Sequence, residues 1–467
     1  MSSVVLGGGL AGLSAAYYLI RCIPNHPLTL IEASHRLGGW IKSNTLDDIL
    51  FEQGPRTIRP HGISARNTLA LIENLGLTDV VIPINSSHPA AKNRMIYANE
   101  KLHLLPTSIK SLFKKQDPFS KPLIWFLLND LIAPRKNVKD ESIYDFVNRR
   151  FGKEFADYLI SPLICGICAG NAKEISVNFL MKNLFEYEQK YGSIFRGLTR
   201  SVFSRKILQK SELSQLALRA RKEKWSVYSL RGGIETLAKS LESHIRKNNI
   251  NIELDSECEE IEFFSDNVIL QMKGGKNISA TNVISALPSA KLGIALQKQY
   301  PELSELLQKI KSVTVGVVNL HYNKKLIKNE GFGYLVPPKE KLPILGVTFD
   351  SCCFPRGENT VLTVMMGGPW FEELFGSDPN EEVLLKTATD QLKTTLGIVD
   401  EPVNSKVNIL KNCIPQYTVG HNENLENINN YIHKHNLPLF LCGASYYGVG
   451  VNDVILSSKN AVDKLIH

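Results

Sequence analysis

The sequence has no uninterrupted apolar run near the roughly 18 residues that a membrane-spanning helix requires. Its longest apolar stretches, 123–128 and 158–170, are short or are interrupted by Pro162 and glycines. A chain that crosses a bilayer is therefore not expected, whereas one that lies on a membrane surface is compatible with the composition. The N-terminus lacks the charged and then apolar order of a secretory signal. Because a strand and a glycine loop already occupy residues 2–10, we expect no cleavable leader.

Cysteine is sparse, with 8 in 467 residues, and its spacing is unlike a disulfide framework, which favours a reducing compartment. Cys165 and Cys168 have the C-x-x-C spacing of redox and zinc sites. No second pair at comparable spacing completes four zinc ligands, and Cys352–Cys353 is vicinal. A redox or metal role and two buried thiols in a helical core are both open, and we favour the buried thiols. We predict no metal site.

Acid–base catalytic motifs are also missing. None of the 11 histidines stands with a serine and an aspartate in a recognisable arrangement. The composition is otherwise that of a folded protein, with 43% hydrophobic and 21% charged residues, and the length suits two or three domains. The net charge of +8 favours an anionic substrate or surface, and nothing indicates a nucleic-acid partner.

The stretch VVLGGGLAGLSAAYYLI, residues 4–20, is the first feature that points to a function. An apolar strand leads into Gly7, Gly9 and Gly12, the G-x-G-x-x-G spacing, and then into a helical pattern. The first glycine permits a tight turn, the second allows a pyrophosphate close to the backbone, and the third allows close packing of helix on strand. The helix N-terminus then offers N–H groups to phosphates. The stretch predicts a dinucleotide-binding fold.

Two further features favour FAD over NAD. Glu32 ends the predicted strand 28–31, twenty residues after Gly12, where a ribose hydroxyl needs an acceptor. The R-x-G-G element that follows, starting at Arg36, resembles the second signature of large FAD-dependent oxidases. Near the C-terminus, a predicted strand (437–442), a glycine turn and a helix from about Val451 supply a second helix N-terminus, which would stabilise negative charge on a reduced flavin.

The remaining pattern is mixed. We predict a helix over 63–80, stopped at Gly76, and a hairpin over 93–106 with Asn99 in the turn. Residues 107–224 are mostly helical, and strands of a second sheet are expected at 312–322 and 361–366. The basic run at 200–224 fits a solvated helix face or a helix lying on an anionic bilayer, and we favour the solvated face.

Several stretches, spread in order over nearly the whole chain, resemble the protoporphyrinogen oxidases of animal mitochondria. GGGLAGLSAAYYL, RLGGWI and NVISALP are shared with the wider FAD-dependent amine-oxidase-like superfamily. More specific are HPAAKNR, GFGYLVP and KNCIPQYTVGH; GPRTIRP, AGNAKEIS, WSVYSLRGG and GASYYGVGVND also match.

This resemblance implies an α/β fold with three parts. A split Rossmann-like FAD-binding domain would comprise 1–83, 230–288 and 418–467. An antiparallel-sheet substrate-binding domain would comprise 84–94, 205–229 and 289–417. An inserted helical membrane-associated domain would comprise 95–204.

The implied activity is the FAD-dependent oxidation of protoporphyrinogen IX to protoporphyrin IX in haem biosynthesis, with oxygen as acceptor and hydrogen peroxide as product. The implied location is the inner mitochondrial membrane, bound peripherally on the intermembrane-space side. A homodimer and a contact with ferrochelatase are further expected partners. Another flavin oxidase, acting on coproporphyrinogen or an amine, is the alternative enzyme. A non-catalytic relative of the GDP dissociation inhibitors is disfavoured, because Glu32, Arg36 and the C-terminal glycine turn are all present.

The residues expected to bind substrate follow from the resemblance. Arg94 would bind a propionate, Phe332 and Leu335 would sandwich a pyrrole ring, and Met365 and the backbone of Gly166 would line the pocket. On spacing alone, Phe332, Leu335 and Met365 are equally compatible with core positions, and Arg94 with a surface position. Cys165 stands where animal members carry an arginine, so a second carboxylate contact there is not expected.

The residues expected to bind the cofactor combine the glycine loop, the strand-end acid and the matching family segments. They are Gly7, Gly8, Gly9, Leu10, Ala11, Gly12, Glu32, Ala33, Arg36, Gly39, Trp40, Gly54, Pro55, Arg56, Thr57, Cys258, Gly443, Val449, Gly450 and Val451.

Overall fold

The computed structural model describes residues 2–203, 213–355 and 357–467. In chain order its strands are β1 (Ser3–Leu6), β2 (Leu28–Ile31), β3 (Ser43–Leu46), β4 (Ile49–Glu52), β5 (Val81–Asn85), β6 (Met95–Ala98), β7 (Lys101–Leu104), β8 (Trp225–Leu230), β9 (Asn251–Glu253), β10 (Cys258–Phe263), β11 (Val268–Met272), β12 (Asn277–Ala280), β13 (Asn282–Ser285), β14 (Ser312–Tyr322), β15 (Gly333–Leu335), β16 (Ile344–Phe349), β17 (Thr360–Gly368), β18 (Asn404–Pro415) and β19 (Leu439–Leu441).

The helices alternate with these strands, so the fold is mixed α/β. They are α1 (Leu10–Cys22), α2 (Ile63–Asn74), α3 (Pro89–Lys92), α4 (Leu123–Asn129), α5 (Ile143–Phe151), α6 (Lys153–Phe155), α7 (Ser161–Cys168), α8 (Val177–Leu180), α9 (Lys182–Tyr191), α10 (Ile194–Phe203), α11 (Gln215–Lys222), α12 (Glu235–Lys247), α13 (Ser289–Leu296), α14 (Pro301–Gln308), α15 (Asp350–Cys353), α16 (Phe371–Phe375), α17 (Glu381–Leu396), α18 (His421–Lys434) and α19 (Val451–Ile466). A π-helical turn, Ala156–Ile160, precedes α7.

The chain divides into two compact units. The first unit comprises residues 1–85, 212–311 and 422–467, and the second comprises residues 86–211 and 312–421. Residues 289–311, which the sequence division assigned to the substrate-binding domain, pack in the first unit. The division into cofactor, substrate and membrane-associated domains stays a prediction. Residues 204–212 of the basic run 200–224 lie outside the described residues, whereas its C-terminal part forms α11, in which Leu216, Ala217 and Ala220 are buried.

A five-stranded parallel sheet, in the order β19-β13-β1-β2-β9, organises the first unit. Every residue of β1 is buried, as expected for a parallel strand covered on both faces. The strands that follow residue 250 belong to two sheets, because β9 joins the parallel sheet and β10 pairs with β11 in an antiparallel one. The core on one face of the parallel sheet includes Leu13, Ala16 and Tyr17 of α1.

The predicted helix is confirmed from residue 63 to its predicted stop at Gly76, and only the outer bound of 80 is too long. Helix α2 ends at Asn74, since Gly76 adopts a left-handed conformation with φ 71°. The N–H of Leu77 then donates to the carbonyl of Ile72, and the N–H of Gly76 to that of Glu73. These bonds satisfy carbonyls that the helix end would leave unpaired, which is how glycine terminates helices.

The second unit is built on a seven-stranded sheet in the order β18-β14-β17-β16-β15-β6-β7. Its neighbours are antiparallel except for β15 and β6, which are parallel. The predicted hairpin is confirmed as β6 and β7, and both turn residues, Asn99 and Glu100, have positive φ values of 50° and 61°. Two such residues are typical of the turn that matches strand twist.

The mostly helical segment of the second unit, residues 107–203, is stabilised by a buried ion network. Arg150 and Glu188 are 0% exposed, and Arg150 Nε donates to Asp130 Oδ1 at 2.6 Å. Burial alone would raise the pKa of the Asp130 carboxyl. The net pKa is nevertheless below its usual range, because the carboxylate accepts hydrogen bonds from Ser193, the Phe195 N–H and Arg150 and lies beside the Arg150 charge. A charged pair is tolerated in this interior because its hydrogen bonds are satisfied.

Apolar side chains also project outward from this segment. They are Ile109, Phe113, Trp125, Leu128, Ile132, Leu163, Leu180, Phe195 and Leu198. Among the described residues, no helix combines the length and the apolar character needed to cross a membrane.

We predict that Arg150→Leu lowers the free energy of unfolding by about 3–5 kcal/mol, because it leaves the Asp130 carboxylate buried without its cation. The control is Arg246→Leu, whose side chain is 51% exposed in its pair with Glu242, and whose expected cost is about 0–1 kcal/mol. Urea unfolding measures both. The Arg150 effect should shrink in acid, since a carboxyl with a lowered pKa loses its stabilisation as the pH falls through that pKa. Equal losses in the two variants would contradict the account.

Candidate cofactor and substrate sites

The turn between β1 and α1 requires its glycines for different reasons. Gly7 has φ 98°, a conformation that other residues rarely adopt. A Cβ on Gly12 would collide with the carbonyl oxygen of Gly7, so α1 packs closely on the strand end. A Cβ on Gly9 would instead meet only the Cα of Gly39 within 4 Å, at an ordinary 3.7 Å. The backbone beside Gly9 therefore leaves the kind of room that a pyrophosphate needs.

The R-x-G-G loop lies against this turn. The N–H of Gly38 donates to the carbonyl of Gly8 at 2.9 Å, and a Cβ on Gly39 would come within 2.9 Å of the Gly9 Cα. Helix α1 begins after Gly9 with no side-chain cap. Its first-turn N–H groups lack partners within the helix and point outward from its positive end. This backbone cradle fits an anionic diphosphate.

Glu32 is placed at the strand end as predicted, and it has a second task. Its Oε2 accepts a 2.6 Å hydrogen bond from the N–H of Gly8, and its Oε1 accepts from the N–H and the hydroxyl of Ser34. A carboxylate has further lone pairs, so it can still accept from a ribose hydroxyl. Sequence analysis missed Ser34, although a serine two residues after an acid is a common local hydrogen-bonding pair.

Arg36 stabilises the loop that it begins. Its guanidinium donates to the carbonyls of Leu37, at 3.0 Å, and of Gly39, and it lies 3.8 Å from a carboxylate oxygen of Glu235. The R-x-G-G motif is therefore explained by folding of the loop. Glu235, at the first position of α12, could not be paired with Arg36 from sequence, because 199 positions separate the two.

The C-terminal helix packs on the first one. A Cβ on Gly443 would lie 3.4 Å from the Cβ of Ala11, and the hydroxyl of Ser458 donates to the carbonyl of Ala11 at 2.8 Å. Helix α19 begins after Gly450, again with no side-chain cap. The uncapped start of α19, with Val449 and Val451 beside it, is the predicted second helix N-terminus and lies in the same unit as the glycine loop.

The other predicted cofactor residues lie close to these elements. A Cβ on Gly54 would collide with the carbonyl oxygen of Trp40, so the 54–57 segment starts against the R-x-G-G loop. The N–H of Ser256 donates to the carbonyl of Glu32, which brings the chain at Cys258 near the acid. Burial raises the pKa of the Cys258 thiol to about 12, so it contributes here as a neutral group. These residues fit FAD; the role of each one stays a prediction.

The predicted substrate residues all lie in the second unit, and the structure brings them together. The guanidinium of Arg94 lies 4.1 Å from the ring centre of Phe332. Leu335 pairs with Gly346, which pairs in turn with Met365. We call the set Arg94, Gly166, Phe332, Leu335 and Met365 the patch. Gly166, which lies in α7, packs closely on Leu335: a Cβ on Gly166 would come within 2.7 Å of the leucine side chain.

Burial distinguishes the patch from the core. Leu335 is the partly exposed residue of β15, and Met365 is the partly exposed residue of β17, in strands that are otherwise buried. Their neighbours Tyr334 and Met366 point to the opposite face and join the core there. If Leu335 and Met365 only filled the core, they would be as fully buried as Tyr334 and Met366. The patch is thus a surface with apolar members and one cation.

The C-x-x-C pair lies beside the patch. Cys165 and Cys168 are 3% and 1% exposed, and burial raises the pKa of each thiol to about 12. Neutral thiols are poor nucleophiles and poor metal ligands. Cys165 packs in an apolar cluster with Val315 and Val317, so its position carries no basic group. Among the described residues, no group of three or more His, Cys, Asp and Glu side chains could hold a metal ion.

Comparisons with known proteins agree over nearly the whole chain. The profile of the flavin containing amine oxidoreductase family matches residues 10–466. The protoporphyrinogen oxidase of Bos taurus is 38% identical over 470 residues, covering 99% of this chain and 98% of that protein. The mitochondrial protoporphyrinogen oxidase of Nicotiana tabacum is 29% identical over 488 residues, covering 99% and 94%.

A solved structure gives the same fold. The crystal structure of a protein from Exiguobacterium sp. 255-15 matches with a TM-score of 0.79 at 23% identity, covering 99% of this chain and 98% of that one. The glycine cradle fits a flavin dinucleotide, and the family profile and the animal relative cover both units. The chain therefore belongs to the protoporphyrinogen oxidase family, within the flavin containing amine oxidoreductases, and is an FAD-dependent oxidoreductase.

Proposed function

We propose that this chain oxidises protoporphyrinogen IX to protoporphyrin IX in haem biosynthesis, with oxygen as the electron acceptor and hydrogen peroxide as the product. The relatives named above support the substrate class. The observation that carries the proposal is the patch, because a partly exposed apolar surface with a cation at one end complements a macrocycle that is apolar except for carboxylates on one edge.

Arg94 is the binding group for a substrate carboxylate. Its planar guanidinium can donate two parallel hydrogen bonds to one carboxylate. The Phe332 ring, 4.1 Å away, holds the guanidinium by a cation–π contact and limits its freedom before substrate binds. An anchor at one edge restricts the macrocycle to few orientations, while Leu335 and Met365 offer apolar contacts to its faces. The chain thus contributes geometry more than acid–base chemistry.

Bound FAD would supply the acceptor for hydride from the substrate and the route by which the electrons reach oxygen. We propose that Gly9 and the start of α1 hold the diphosphate, that Glu32 accepts from the ribose, and that the start of α19 lies at the flavin ring. Complete oxidation removes six electrons and six protons, which three oxygen molecules take up as three molecules of hydrogen peroxide.

We further propose peripheral attachment to the inner mitochondrial membrane, on the intermembrane-space side, through residues 95–204. The name of the tobacco relative supports the organelle. The outward apolar side chains of this segment support the surface. Residues 106–136 also carry six basic and two acidic residues, and one of the acids, Asp130, is buried in the ion network. A basic and apolar surface suits an anionic bilayer. The homodimer and the ferrochelatase contact remain proposals from the resemblance.

We predict that Gly9→Val abolishes FAD retention, because its branched side chain fills the space proposed for the diphosphate. Gly9→Ala should fold normally, since its Cβ meets only an ordinary contact. It should bind FAD more weakly than the wild type, because the added methyl group takes part of the space proposed for the diphosphate. Gly12→Ala should fail to fold stably, because its Cβ collides with Gly7. The measurements are flavin absorbance per protein and circular dichroism. Full flavin content in Gly9→Val would refute the assignment of the loop.

We predict that Arg94→Ala lowers kcat/KM by about 30- to 150-fold, or about 2–3 kcal/mol, the range for a charge-assisted hydrogen bond. Arg94→Lys should fall between, because it keeps the charge and loses the fork. Flavin content should stay normal in both, and a propionate diester of the substrate should be insensitive to the change. The control, Arg219→Ala, removes an exposed cation of the first unit. An unchanged kcat/KM, or flavin lost together with activity, would rule out this role.

We predict that Ile132→Glu lowers binding to anionic phospholipid vesicles by about 10-fold, since a side chain that is 81% exposed would exchange apolar burial in lipid for a charge. Val399→Glu is the control, because Val399 is 70% exposed and lies outside the segment. Co-sedimentation measures both, and alkaline carbonate should release the wild-type protein. Equal binding of the two variants would exclude this surface.

A further inference from the structure

Helix α7 forms one wall of the patch. Gly166 packs on Leu335, as described above, and the chain just after the helix packs on β17, because a Cβ on Gly368 would collide with the carbonyl oxygen of Ala169. Cys165 joins the apolar cluster that Met365 also contacts. The placement of α7 therefore fixes where Leu335 and Met365 stand relative to Gly166.

The C-terminal end of α7 has a buried polar requirement. The helix ends with Ala169 in a left-handed conformation, φ 48°, and the carbonyls of a last turn lack partners within the helix. The carbonyl of Cys168 accepts a 3.0 Å hydrogen bond from Nε2 of Gln416. Gln416 is 7% exposed and Cys168 is 1% exposed, so water is a poor substitute for this donor.

The Gln416 amide is held in one orientation. Its Nε2 also donates to the carbonyl of Ile414 at 3.1 Å. A Cβ on Gly170 would come within 2.6 Å of its Oε1, so the next turn of chain packs directly on the amide. A side chain fixed at both ends can transmit a defined position to the helix that it contacts.

The residues after Gln416 are anchored to the same region. The carbonyl of Tyr417 accepts from the N–H of Ser176 at 2.8 Å, and the N–H of Val419 donates to the carbonyl of Glu174 at 3.0 Å. The N–H of Gly420 donates to Oδ2 of Asp140 at 2.9 Å. The first two contacts join Tyr417 and Val419 to the loop that follows α7, and the third joins Gly420 to the segment before α5. They give a physical role to the KNCIPQYTVGH stretch, which neither cofactor nor substrate contacts explain.

We propose that Gln416 is a positioning residue for substrate binding. By holding the Cys168 carbonyl it keeps α7 on the sheet, so that Gly166 stays against Leu335 and the patch keeps one width. The identity of the substrate in this proposal rests on the proposed function; the hold on α7 does not.

The test is Gln416→Met in the FAD-loaded full chain. This change keeps the volume and removes the donor, so α7 should loosen. Labelling of Cys165 and Cys168 by a thiol reagent, followed by peptide mass spectrometry, should become at least about 10-fold faster, because local opening exposes buried thiols. With protoporphyrinogen, KM should rise by about 10-fold while kcat changes less than KM and flavin content stays normal.

Thr395→Val is the matched control. It removes the buried 2.6 Å hydrogen bond between Thr395 and Tyr334, which lies in the same unit on the core side of β15, opposite the side chain of Leu335. A general loss of stability in the second unit would affect both variants alike. The proposal requires that Thr395→Val leave the labelling of Cys165 and Cys168, and KM, near the wild-type values.

Gln416→Glu gives an independent readout. A buried neutral carboxyl can donate to the Cys168 carbonyl, whereas its ionised form cannot, so KM of this variant should rise with pH more steeply than KM of the wild type. Unchanged labelling in Gln416→Met, equal effects in Gln416→Met and Thr395→Val, or a pH-independent KM in Gln416→Glu would each overturn the proposal. A wild-type protein that does not oxidise protoporphyrinogen would defeat the proposed function alone, since the labelling result does not depend on substrate.

Discussion

The close packing of α1 on the end of β1 is the constraint on which the cofactor site depends. It requires the absence of a side chain at Gly12, and it places the uncapped start of α1 beside the open backbone at Gly9. The R-x-G-G loop can then approach through Gly39, and Glu32 can bind the N–H of Gly8. One short contact thus determines where backbone donors, a carboxylate and free space occur together, which is the combination that a flavin dinucleotide needs.

The second unit distributes charge differently in two places. In its helical segment, Arg150, Asp130 and Glu188 are buried and paired, and they stabilise the surface that we propose to face the membrane. In the patch, Arg94 is stacked on Phe332 and partly exposed. Partial exposure leaves the Arg94 guanidinium accessible to an incoming carboxylate, whereas Arg150 is fully buried.

The sequence predicted features that depend on local rules, such as the glycine loop, the strand-end Glu32 and the hairpin at Asn99. It could not decide whether Leu335 and Met365 belong to the core, because their exposure depends on which strands lie beside them. It also missed Gln416, since a hydrogen bond to the Cys168 carbonyl joins positions 248 residues apart. Local propensity determines turns and helix starts, whereas the role of Gln416 and the pairing of Arg36 with Glu235 follow from tertiary contacts.

The most direct test of the central claim is the growth of porphyrin fluorescence, with oxygen uptake followed in parallel. The purified flavin-loaded protein would be mixed in air with protoporphyrinogen IX or, separately, with coproporphyrinogen. The account predicts rapid formation of protoporphyrin, three molecules of hydrogen peroxide for each porphyrin, and a clear preference for protoporphyrinogen. Turnover of coproporphyrinogen alone, or a flavin-loaded protein that leaves protoporphyrinogen at its spontaneous oxidation rate, would contradict it.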